Sequence, residues 1–272
     1  MPEATWYSQG AFCWTECSTT DVEAAKAFYT ELFALDVEET PLPAEAGGGS
    51  YYQFQRDGKY VAGLTPQQDQ EKQQGIPPHW NTYIAVDDAD LTMKEAEQLG
   101  ASIVVPAFDV LESGRMAVVM DPTGAAICFW QAKDHIGAEV YAENDTVGWF
   151  ELMTQDPRRA TEFYTKLFGY GIEESETPSG PYTVLTHKGL QAAGIMGAPQ
   201  ADIPSAWTPY FQVPDASGTL AKAKSLGATE MMPVTEVPEV GSFSWITDPQ
   251  GAVIAFIQPA PGRAEQQRAR AE

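Results

Sequence analysis

The hydrophobic pattern changes period along the first part of the chain. Phe12–Ser18 predicts a short strand ending before Asp21, whose carboxylate suits a helix N-cap. In Val22–Phe33 the positions Val22, Ala25, Phe28, Tyr29, Leu32 and Phe33 recur at helical spacing and predict a helix. Pro41–Gly49 predicts a flexible loop. Tyr51–Gln55 and Lys59–Thr65 then flank Asp57-Gly58, a hairpin signal, because both residues tolerate the positive φ of a tight turn. Gln67–Pro78 reads as a polar connector. Asn81–Val86 predicts a strand, Ala89–Leu99 a helix stopped by Gly100, and Ser102–Val105 a strand. Arg115–Met120 and Ala125–Gln131 predict two strands joined by the turn Asp121-Pro122-Thr123-Gly124. The predicted order is β-α-β-β followed by β-α-β-β-β.

The same order then returns. At a shift of 135, Trp14, Glu16, Asp21, Ala25, Phe28, Tyr29, Leu32 and Phe33 meet Trp149, Glu151, Asp156, Ala160, Phe163, Tyr164, Leu167 and Phe168. The shift falls to 131 where Gly58, Ala62 and Gly63 meet Gly189, Ala193 and Gly194. It falls to 127 where Trp80, Tyr83, Asp121, Pro122, Gly124 and Phe129 meet Trp207, Tyr210, Asp248, Pro249, Gly251 and Phe256. Ordered matches over this length, with only short deletions between blocks, mean an internal duplication. The expected domains are residues 1–131 and 145–258, with 132–144 as a linker and 259–272 as a polar, flexible tail.

The segment around Asp21, Phe28-Tyr29 and Leu32-Phe33, repeated around Asp156, Phe163-Tyr164 and Leu167-Phe168-Gly169, resembles the first strand and helix of the glyoxalase/bleomycin-resistance/dioxygenase (vicinal oxygen chelate) superfamily. Val86-Asp87-Asp88, Leu99-Gly100-Ala101 and Asp121-Pro122-Thr123-Gly124-Ala125 resemble its second module. The whole is similar to tandem two-domain actinobacterial "hydroxylase"-type members. That resemblance implies an α+β fold. It implies paired βαβββ modules, each pair curling into a half-barrel around a cavity.

Members that hold a metal place His or Gln on the first strand, His on the fifth and Glu on the last. The corresponding positions here are Trp14, Asn81 and Cys128, and in the second copy Trp149, Thr208 and Ala255. An indole offers no lone pair and alanine offers no donor. The expectation is therefore no metal and no cofactor. Of the three histidines, His79 lies two positions before the fifth strand and is the one candidate for a shifted ligand; a loop role is preferred. His187 reads as a solvated turn residue and His135 as an unremarkable linker residue.

Strand alternation assigns faces. Trp14 and Glu16 share the concave face by the family pattern, as do Asn81 with Tyr83 and Cys128 with Trp130. Trp149, Glu151, Thr208, Tyr210 and Ala255 line the second. Cys13 and Cys17 are expected to point towards the helices as buried thiols. Each cavity then offers tryptophan, tyrosine and one glutamate, a composition suited to a planar or apolar ligand with a polar anchor. Ligand contacts are expected from Trp14, Asn81, Tyr83, Cys128, Trp130, Trp149, Thr208 and Tyr210. Glu16 and Glu151 are the catalytic candidates, since a carboxylate beside an indole is desolvated and rises in pKa.

Charge narrows the partners. Sixteen Lys and Arg against 38 Asp and Glu give a net charge of −22, a field that repels nucleic-acid backbones and anionic membranes. Three cysteines argue against a disulfide scaffold. The N-terminus does not read as a signal peptide and no apolar run reaches membrane length, so a cytoplasmic location is expected. Gly47-Gly48-Gly49 lacks the strand–helix setting of a nucleotide fingerprint. The expected partner is a small molecule, for a monomer of two fused domains or a dimer of such chains. Two classes stay open: a binding protein, or a metal-independent lyase, isomerase or hydroxylase-like enzyme using a buried glutamate.

Overall fold

The computed structural model describes residues 3–43, 48–177 and 180–263. Parts of the predicted 41–49 loop and 259–272 tail lie outside those residues. The first half runs β1 (Phe12–Thr19), α1 (Val22–Phe33), β2 (Asp36–Pro41), β3 (Ser50–Arg56), β4 (Lys59–Pro66), α2 (Asp69–Gln73), β5 (His79–Ala85), α3 (Ala89–Gln98), β6 (Ser102–Val110), β7 (Gly114–Met120) and β8 (Ala126–Ala132). The second runs β9 (Val147–Thr154), α4 (Pro157–Phe168), β10 (Gly171–Thr177), β11 (Gly180–His187), β12 (Leu190–Gly197), β13 (Ala206–Gln212), α5 (Ala216–Ser225), β14 (Thr229–Val237), β15 (Gly241–Thr247) and β16 (Val253–Pro259). Each half forms one eight-stranded sheet. The orders are β2-β3-β4-β1-β5-β8-β7-β6 and β10-β11-β12-β9-β13-β16-β15-β14, so the duplicated sequence yields a duplicated α+β topology.

Local chemistry sets the helix ends. Asp21 accepts from the Ala24 amide, and Asp156, Asp88 and Asp215 cap their helices in the same way. α1 ends on Ala34 in the left-handed region, where its counterpart α4 ends on Gly169. The strands β2 and β10 were absent from the sequence-based order. Both are edge strands, bonded on one side only and mostly exposed, so neither carries the alternation that marks a half-buried strand. The connector contains the short helix α2, with a capping box between Gln68 and Glu71.

One face of each sheet is covered by helices, and these faces share a single core. Phe12 stacks on Phe150 at 5.0 Å, and Phe33 of α1 stacks on Phe211 of β13 at 4.5 Å. The opposite faces carry two separate aromatic clusters, one per half. The segment after β8 does not hang free. Its Lys133 and His135 amides bond to Ser113, its Ala138 amide to Cys13, and its Glu139 amide to Tyr60. Among the described residues no helix is long and apolar enough to cross a membrane.

Candidate functional site

Strand register brings the sequence-assigned residues together. Trp14 on β1 stands opposite Tyr83 on β5, Glu16 opposite Asn81, and Tyr83 beside Cys128 on β8. In the second half Trp149 faces Tyr210, Glu151 faces Thr208, and Tyr210 lies beside Ala255. Trp14, Tyr83, Cys128 and Trp130 join one buried cluster; Trp149, Tyr210 and Ala255 join the other.

Cys13 departs from the predicted face. β1 has a register shift between Phe12 and Trp14, and the extra residue turns Cys13 into the Trp14 cluster while Phe12 and Cys17 stay in the helix-side core. The Cys13 thiol lies 3.7 Å from the Tyr83 carbonyl.

The two glutamates sit in matching frames. Glu151 is buried, and its carboxylate accepts from the Tyr210 hydroxyl at 2.6 Å and the Tyr182 hydroxyl at 2.9 Å. Trp149 donates its indole N–H to Tyr182 at 3.2 Å, and Trp245 donates to Tyr210 at 2.7 Å. Burial pushes the Glu151 carboxyl above its ordinary pKa; the two tyrosine bonds act against that rise. Glu16 is half-buried. The Tyr83 hydroxyl approaches it at 3.4 Å, and Trp14 donates to Tyr51 at 3.2 Å. Burial pushes the Glu16 carboxyl up to about 7, with Tyr51 and Tyr83 pulling the other way.

Tyr51, Tyr182 and Trp245 were not singled out from the sequence. The shift of 131 that pairs Gly63 with Gly194 also pairs Tyr51 with Tyr182, which was the available signal. The glycines explain the geometry. Gly63 is the parallel partner of Glu16, and Gly194 of Glu151. A β-carbon at either glycine would overlap the hydroxyl of Tyr51 or Tyr182, so the missing side chain is what lets the phenol reach across the strand.

The histidines correct two expectations. His187 is half-buried: its Nε2 lies 3.0 Å from Ser8 Oγ and its ring is edge-on to Tyr170 at 5.7 Å. His135 lies edge-on to the Trp14 ring at 4.7 Å and close to Trp130 and Tyr60. Burial pushes its imidazole down to about 4. His79 opens β5, with Nδ1 2.9 Å from the Pro77 carbonyl and Nε2 3.7 Å from Glu71. Among the described residues no three side chains of the His, Cys, Asp and Glu types converge as a metal group would need. Burial raises the thiol pKa of Cys13, Cys17 and Cys128.

Two clefts of about 260 and 250 Å³ flank the N-terminal segment at Trp6 and Tyr7. The first reaches Trp130 and Ile136; the second reaches His187 and Lys188.

Comparison with known proteins follows the same duplication. The sequence profile of the Glyoxalase/Bleomycin resistance protein/Dioxygenase superfamily matches residues 13–129 and again 146–256. The chain is 40% identical over 262 residues to "Putative glyoxylase CFP32" of Mycobacterium tuberculosis (strain CDC 1551 / Oshkosh), covering 96% of this chain and 99% of that one. It is 31% identical over 273 residues to "Anthracycline biosynthesis protein DnrV" of Streptomyces peucetius, covering 95% and 96%. Among solved structures, the Mn(II)-bound glyoxalase from Novosphingobium aromaticivorans superposes with a TM-score of 0.62 at 14% identity, over 93% of this chain and 83% of that one. The 2,2',3-trihydroxybiphenyl 1,2-dioxygenase from Sphingomonas wittichii strain RW1 gives 0.63 at 14%, over 92% and 91%. Both structural likenesses speak for the fold alone. With two profile matches in register with the two sheets, the chain belongs to the glyoxalase/bleomycin resistance protein/dioxygenase superfamily.

Proposed function

We propose that each half binds a planar small molecule against its tryptophan–tyrosine–glutamate cluster, without a metal ion. The observation that carries this reading is the Glu151 frame: a buried carboxylate held by two tyrosine hydroxyls, each of which accepts from an indole N–H. Such a cluster combines aromatic walls with one polar anchor. The six positions where metal-holding members carry their donors do not fit a metal here. The Trp14 and Trp149 indole N–H groups are spent on tyrosines, Ala255 has no donor, and burial keeps the Cys128 thiol protonated. The relative named for anthracycline biosynthesis adds support, since the anthracycline skeleton contains fused aromatic rings.

A second reading is favoured by one observation. The Glu16 carboxyl, raised to about 7, suits proton transfer at neutral pH, so a metal-independent lyase, isomerase or hydroxylase-like reaction is the alternative. Glu16→Gln and Glu151→Gln separate the two. A binding protein keeps its affinity for a neutral ligand and has no turnover to lose; an enzyme keeps binding and loses nearly all its rate. Elemental analysis of protein purified without chelators tests the metal clause. About one equivalent of a transition metal per half, lost on Glu16→Gln or Glu151→Gln, overturns it.

A further inference from the structure

The segments that follow the last strand of each half are equivalent. After β8 the Lys133 amide bonds to the Ser113 carbonyl at 3.1 Å; after β16 the Ala260 amide bonds to the Val240 carbonyl at 3.1 Å. These residues correspond under the same shift of 127 that relates β7–β8 to β15–β16. In both halves the segment then lays one polar side chain against the tryptophan of the first strand. In the first half this is His135, edge-on to Trp14 at 4.7 Å. In the second it is Arg263, whose guanidinium carbon lies 5.9 Å from the centre of the Trp149 ring. His135 Nε2 and Arg263 Nε are both buried atoms without a hydrogen-bond partner among the described residues.

Unpaired buried donors and acceptors are costly to a fold unless water or a ligand satisfies them. The two groups are also chemically different. Burial keeps the His135 imidazole neutral at neutral pH. A guanidinium cannot lose its charge, and among the described residues Arg263 forms no ion pair. The carboxylate of its own cluster, Glu151, is already held by Tyr210 and Tyr182.

We propose that His135 and Arg263 are the ligand-recognising groups of the two aromatic clusters, so that the first half takes a neutral planar molecule and the second a planar carboxylate. This rests on the reading of the two aromatic clusters as binding sites. The inequality of the halves follows from it: one duplicated frame, with the discriminating group supplied by the segment outside the duplicated sheet.

The test uses the full chain carrying 5-fluorotryptophan, with the Trp14 and Trp149 fluorine resonances assigned through Trp14→Phe and Trp149→Phe. The probes are 1-naphthamide, which is neutral, and 1-naphthoate, its charged counterpart. The expected result is that naphthoate moves the Trp149 resonance and naphthamide the Trp14 resonance. Arg263→Gln weakens naphthoate binding by about tenfold or more, the scale of a lost hydrogen bond to a charged group, and Arg263→Lys retains most of it. His135→Phe weakens naphthamide about fivefold and leaves naphthoate unchanged. His135→Arg brings naphthoate to the first half. If both probes move both resonances alike, or Arg263→Gln changes nothing, the assignment of recognition to these residues fails while the clusters stand as binding sites. If neither probe moves either resonance at millimolar concentration, the cavity reading fails and this inference falls with it.

Discussion

Tyr29, on the helix of the first half, donates its hydroxyl to Oδ2 of Asp248, in the last turn of the second half, at 2.7 Å. The other oxygen of Asp248 accepts the amides of Gln250, Gly251 and Ala252 within its own turn. One carboxylate therefore shapes a turn and clamps the other half. The duplication repeats the arrangement: Tyr164 donates to Asp121 at 2.9 Å, and Asp121 holds the Thr123 and Ala125 amides. Trp80 and Trp207 donate their indole N–H groups to the same two tyrosines.

Tyr29→Phe should destabilise the chain by about 1–3 kcal/mol, because it leaves a buried carboxylate oxygen and the Trp80 N–H without their partner. Tyr164→Phe should cost a similar amount. Since each clamp joins the halves through a shared core, urea unfolding followed by circular dichroism should stay a single transition in both variants. Two separable transitions in the wild type would mean that the halves are not tied in this way.

Glu16 predicts a pH dependence of stability. Its folded pKa of about 7 lies above the ordinary value of 4.5, so the folded chain holds a proton that the unfolded chain releases. Stability is therefore lost as pH rises from about 4.5 to about 7. For a half-buried group this amounts to about 1–3 kcal/mol. Glu16→Gln should remove most of the difference between urea midpoints at pH 5 and pH 8. An unchanged difference would show that the carboxylate is solvated.

His135 acts with the opposite sign. Its folded pKa of about 4 lies below the ordinary value of 6.5, so the unfolded chain binds a proton that the folded chain refuses. Stability is lost as pH falls from about 6.5 to about 4. His135→Phe should flatten that limb of the stability profile, and histidine NMR titration should report the depressed value directly.

Gly194→Ala should weaken ligand binding more than it weakens the fold. The new methyl displaces the Tyr182 hydroxyl from Glu151 and from the Trp149 indole, at a strain of about 1–3 kcal/mol. Gly63→Ala should do the same to Tyr51 and Trp14. A crystal structure of Gly194→Ala with the Tyr182–Glu151 bond intact would contradict this account of the glycine.

Much was settled by neighbours along the chain. Helix periodicity in Val22–Phe33, the Asp21 cap, the Asp57-Gly58 hairpin and the Asp121-Pro122-Thr123-Gly124 turn are local signals, and their repetition doubled the evidence for each. Period-two alternation likewise put Trp14 and Glu16 on one face, and register joined them to Tyr83 and Cys128. Alternation failed at Cys13, where one extra residue in the strand reverses the face, and a bulge has no signature in hydrophobic pattern alone. The edge strands β2 and β10 also left no pattern, because neither face is buried enough to demand one. The Asp121 and Asp248 motifs were legible as turns but not as clamps, since their partners lie 43 and 219 positions away. His135 and Arg263 lie in the segments that follow the last strand of each half, and only the folded chain carries them back over Trp14 and Trp149. Local pattern records which way a side chain faces; what it meets there depends on the path of segments far away in sequence.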